Sequence, residues 1–82
     1  MTTKQIDTII KRDLHCAVKN ITVLITVVNN ETTTKRLLVR GWVDGVNNPI
    51  QYFVIARYSD GDVAAYPADG FSGGKLMLVQ SL

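Results

Sequence analysis

The chain has 82 residues, a single cysteine and nine lysines and arginines against seven aspartates and glutamates, for a net charge of +2. That length holds one domain, spanning 1–82, with a thin core, because so short a chain buries only about 60% of the surface its unfolded form exposes. An ordinary apolar content, two prolines and no repetitive tract exclude a disordered or low-complexity chain, and the lone cysteine excludes an internal disulfide.

The first segment, MTTKQIDTIIKRDL, lacks the apolar run and small-residue cleavage site of a secretory signal, so a cytoplasmic location is expected. Thr2 followed three residues later by Gln5 has the form of a capping box and marks a helix start. From there Ile6, Ile9, Ile10, Leu14 and Ala17 form one apolar stripe. Lys4, Lys11, Arg12 and Lys19 fall largely off it, and Asp7 is placed to pair with Lys11 one turn on. The end of this helix is open between Arg12 and Asn20, because Leu14, Cys16 and Val18 also alternate as a strand would.

From Ile21 the period changes. Ile21, Val23, Ile25 and Val27 alternate with Thr22, Leu24, Thr26 and Val28, a β-branched composition suited to a pleated sheet. This stretch is far shorter than the roughly 20 residues of a membrane helix, so no membrane partner is expected. Asn29 to Thr32 reads as a turn, and Leu37, Val39, Gly41 and Val43 alternate with Arg36, Leu38, Arg40 and Trp42 in a second strand. After the loop Asp44 to Pro49, Ile50, Tyr52, Val54, Ala56 and Tyr58 alternate with Gln51, Phe53, Ile55 and Arg57 in a third. Ser59 to Asp62 is a tight turn into a fourth strand that Pro67 is expected to stop, and Leu76 to Gln80 reads as a fifth beyond the glycine-rich Asp69 to Gly74. With the uniformly apolar rows of the first three strands turned to the core, Leu24, Val28, Leu38, Trp42, Phe53 and Ile55 remain on the other side. That is more apolar surface than a small domain leaves in water, and homo-oligomerisation is expected.

One helix and five strands with tight turns look like the small SH3-like β-barrels, in particular the Sm and Hfq type of RNA-binding ring protein. Gly41-Trp42-Val43-Asp44 followed by Tyr52-Phe53-Val54-Ile55 resembles the Gly-x-Ile-Asp and Phe-Val-Ile segments of the Hfq group. Where that family carries Lys-His before its last strand, this chain has Tyr66-Pro67-Ala68-Asp69, so no uridine pocket is carried over. Val63-Ala64-Ala65-Tyr66-Pro67 is similar to the Val-Gln-Ile-Tyr-Pro strand of the small-barrel, plasmid-borne dihydrofolate reductases, with Ala64 in place of their substrate-pairing glutamine. The resemblance implies a mainly β fold in which an antiparallel meander of about five strands closes into a small barrel behind one N-terminal helix. The alternative is an α+β arrangement with the helix packed on a curved antiparallel sheet.

No motif reads as catalytic or cofactor-binding, and no enzyme activity is expected. His15 and Cys16 are single representatives of their types, too few for a closed zinc site. The glycine run from Gly70 to Gly74 lacks the lysine and following helix of a phosphate-binding loop, and turn chemistry accounts for Asp60 and Asp62 better than calcium does. Charge, however, is polarised. Up to Arg40 there are seven basic residues against three acidic, and beyond it two against four, or +4 and −2. Arg36, Arg40 and Trp42 share strand parity, with Lys35 beside them and Arg57 on the next strand. Guanidinium groups contact phosphates and an exposed aromatic ring stacks on bases, so these five residues are the expected site for RNA or single-stranded DNA. Two alternatives stand beside this: a Trp42 buried under the helix or in a subunit contact, and a protein-interaction or inhibitor module of the kind mobile genetic elements encode, docking through the surplus apolar face.

Overall fold

A computed structural model describes residues 1–28 and 33–68. They form α1 (Thr3–Leu14), β1 (Lys19–Val28), β2 (Thr33–Trp42), β3 (Ile50–Tyr58) and β4 (Val63–Ala68). The strands make one antiparallel meander in the order β1-β2-β3-β4, leaving β1 and β4 as edges. Among the described residues the sheet is four-stranded and not closed into a barrel, which agrees with the helix-on-sheet alternative; the five-stranded closed barrel is not shown. The expected fifth strand, Leu76 to Gln80, and the expected turns at 29–32 and 69–74 lie outside the described residues. No described helix is long and apolar enough to cross a membrane.

The capping box forms as its spelling requires. The Gln5 amide donates to Thr2 Oγ1 at 3.2 Å, and the Thr2 amide donates to Gln5 Oε1 at 2.8 Å. The helix closes at His15, which adopts a left-handed conformation (φ 55°) and donates its amide to the Lys11 carbonyl at 3.1 Å. Asp7 does not serve Lys11. Its carboxylate accepts the Val18 amide at 3.0 Å and so pins the connection into β1.

Ile6 and Ile10, one turn apart, are fully buried against Leu37, Val39, Phe53, Ile55 and Ala65. Burial of such a side chain contributes about 1.5–3 kcal/mol each, so this pair fixes which side of the sheet the helix covers. Phe53 and Ile55 thus lie under the helix, while Tyr52 and Val54, in the row expected to face the core, lie on the opposite side with Leu38. The reason is the register. Leu37 and Val39 pair with Ile55 and Phe53, so they share a face with the odd-numbered residues of β3 rather than the even-numbered ones.

β1 carries two register shifts. Lys19 pairs with Trp42 and Thr22 with Arg40, with Asn20 in a left-handed conformation between them. Val23 then pairs with Val39 and Ile25 with Leu38, so Leu24 is one residue in excess. Because side chains alternate with period 2, that extra residue sends Ile21 and Val23 towards the helix but Ile25 and Val27 to the other face. A row that is continuous in the sequence is divided between two cores.

β4 is held from outside by the helix. The Ala65 amide donates to Asp13 Oδ2 at 2.9 Å, and the Arg12 guanidinium donates to the Val63 carbonyl. An Ala65 amide committed to the helix points away from β3, as would the amide of residue 67 at the same parity. Pro67 has no donor to lose there, so the strand runs through it to Ala68 instead of stopping.

Candidate functional site

The pairing registers define the face turned away from the helix, row by row. Lys19, Trp42 and Ile50 form one row; Thr22, Arg40, Tyr52 and Ala68 the next; then Ile25, Leu38, Val54 and Tyr66; then Val27, Arg36, Ala56 and Ala64. Tyr58 also belongs here, since its hydroxyl shares a 2.7 Å hydrogen bond with that of Tyr66. All three tyrosines and the chain's one tryptophan are thus on this face. Phe53, which has no polar tip to keep wet, goes under the helix.

At the centre, Leu38 and Val54 are buried, with Ile25, Val27 and Tyr52 packed against them. Around that centre the face is open: Arg40 is exposed, and Trp42, Ile50 and Tyr66 retain 41, 44 and 45% of their surface. The Trp42 ring is fixed at its edge, where Nε1 donates to Asp44 Oδ1 at 3.0 Å; the other Asp44 oxygen meets Lys19 Nζ at 2.7 Å. Those two partners, Lys19 foremost, hold the Asp44 carboxyl below its usual range. The indole is thereby oriented while much of its surface stays in contact with solvent.

Arg36 is only 6% exposed, among neighbours that include the Tyr58 phenol. The Tyr66 hydrogen bond first, and burial second, raise the Tyr58 pKa above its usual value, against the opposing pull of the Arg36 charge.

The five expected site residues are therefore divided by the sheet. Arg36, Arg40 and Trp42 share the face away from the helix, whereas Lys35 and Arg57, paired with each other across β2 and β3, lie on the helix side. The tyrosines were missed as candidates because Tyr52 and Tyr58 sit in the row expected to be core, and Tyr66 joins them only through the β3–β4 register. His15 is an exposed helix cap, Cys16 is half-buried against the helix-side core, and Asp60 makes the expected turn, accepting the Asp62 amide at 2.9 Å. Among the described residues no group of His, Cys, Asp and Glu is placed to hold a metal ion.

Fold and face together define, among the described residues, a helix-backed sheet that carries arginine and polar aromatic side chains on the side away from the helix. No protein-family model matches the chain, and no curated protein or solved structure matches it either.

Proposed function

We propose that this protein is a non-enzymatic module that binds single-stranded nucleic acid on the sheet face away from the helix. One observation carries the reading: the pairing registers bring Arg40, Trp42, Tyr52 and Tyr66 onto one face around a packed apolar centre. Arg40 supplies a phosphate contact, and the aromatic rings supply base-stacking surfaces that tolerate any sequence. Because Trp42 is the chain's one tryptophan and lies on this face, its emission reports directly on occupancy.

Titration of oligo-U, oligo-A and oligo-dT at low salt should quench Trp42 saturably. The slope of log affinity against log salt should be about −0.7 for each phosphate held, so Arg40→Gln should flatten it by about 0.7 with the fold intact. No binding of any oligonucleotide at tens of micromolar would defeat this reading. The alternative, a protein-interaction module, is favoured by the exposed Trp42–Ile50 cross-strand pair, and it would give partner binding that added salt barely weakens.

A further inference from the structure

The pairing registers set three aromatic residues on one diagonal of the face away from the helix. Trp42 on β2 pairs with Ile50, and Tyr52 stands one row further along β3, opposite Arg40. Tyr66 on β4 pairs with Val54, again one row on from Tyr52. Each step is one strand across and one row along, which separates the backbones by about 7–8 Å.

Two hydrogen bonds keep the rings from closing on one another. Trp42 Nε1 donates to Asp44 Oδ1 at 3.0 Å, which anchors the indole at the loop end of β2. The Tyr66 hydroxyl is tied at 2.7 Å to that of Tyr58, a residue at the opposite end of the sheet from the Trp42–Ile50 row. Tyr52, between them, is packed against the buried Leu38 and Val54. The outer rings are thus held apart on either side of Tyr52, and their places are set before a ligand arrives.

Bases in a stacked strand lie about 3.4 Å apart, so bases that each rest on one of these rings cannot also rest on one another. Occupying the diagonal breaks the ligand's own stacking, a cost set by the free strand and not by any contact to a base edge. Adenine runs stack strongly and bear a large cost, whereas pyrimidine runs bear little.

We infer, on the nucleic-acid reading of this face, that the ligand is a pyrimidine-rich single strand laid ring to ring along Trp42, Tyr52 and Tyr66, one base to each ring. Arg40, exposed and directly across from Tyr52, holds the phosphate beside the middle base. Every ring still accepts any base; the preference arises in the strand that must be unstacked.

Trp42 fluorescence titrations of the full chain with hexamers of oligo-dT, oligo-dC and oligo-dA at one salt concentration test this. Both pyrimidine strands should bind about tenfold more tightly than oligo-dA, and the gap should narrow on heating as adenine stacks melt. Tyr66→Leu, at an exposed position, should weaken oligo-dT binding about tenfold in a protein that remains folded, while Tyr66→Phe, which keeps the ring, should retain most of the affinity. Saturable quenching by oligo-dA at an affinity equal to that of the pyrimidine strands would overturn the inference and leave the nucleic-acid reading standing. So would an unchanged oligo-dT affinity in Tyr66→Leu. Absence of binding by all three strands at tens of micromolar would instead end the nucleic-acid reading itself, and this inference with it.

Discussion

Asp13 is the side chain on which the helix–sheet junction turns. It accepts from Arg12 at 2.6 Å through one oxygen and from the Ala65 amide through the other, and these partners, Arg12 first, draw its pKa down from 3.8 to about 2. A carboxylate whose pKa is lower in the folded state than in the unfolded chain stabilises the fold fully above the unfolded value. That contribution is lost as pH falls towards the folded value. The wild-type protein should therefore be more stable than Asp13→Asn at roughly pH 5, with the difference shrinking between about pH 4 and pH 2. Urea midpoints measured across that range check this, and a difference independent of pH would show that the charge of Asp13 does not contribute.

At the level of elements, the approach of the α1–β1 connection to β2 depends on Gly41. A β-carbon there would run into the Val18 side chain and come within 3.3 Å of the Lys19 carbonyl oxygen. Gly41→Ala should thus cost about 1–3 kcal/mol by overpacking, and most of that cost should vanish in a Val18→Ala background. A denaturation double-mutant cycle with simple additivity would contradict this contact. The helix, its capping box and the extents of the middle strands were legible in the sequence, because each follows from a local period or a local hydrogen bond. The distribution of strand residues between faces was not. Leu24 makes a bulge only by pairing with β2, and nothing local in Ile21–Val28 marks it. The same non-local register placed Phe53 under the helix, divided Lys35 and Arg57 from Arg40 and Trp42, and let β4 run through Pro67.

Across the whole molecule, apolar side chains remain in water on the helix side of β1, at Val23 and Val28, and at one end of the opposite face, at Trp42 and Ile50. Light scattering at micromolar concentration should give a dimer, and a monomer at every concentration would show that these side chains are tolerated singly. What such an assembly can become is limited by the way α1 grips β4. Along the outward side of that strand the Val63 carbonyl and the Ala65 amide are occupied by the helix, and Pro67 has no amide to offer. Among the described residues only the β1 edge is left for another strand, and growth by strand addition needs two receptive ends, as a chain needs bifunctional links. A unit with one such end is a chain terminator. Two copies joined β1 to β1 would complete each other and stop, so the edges of the described sheet give strand addition no second step while Arg12 and Asp13 stay in place.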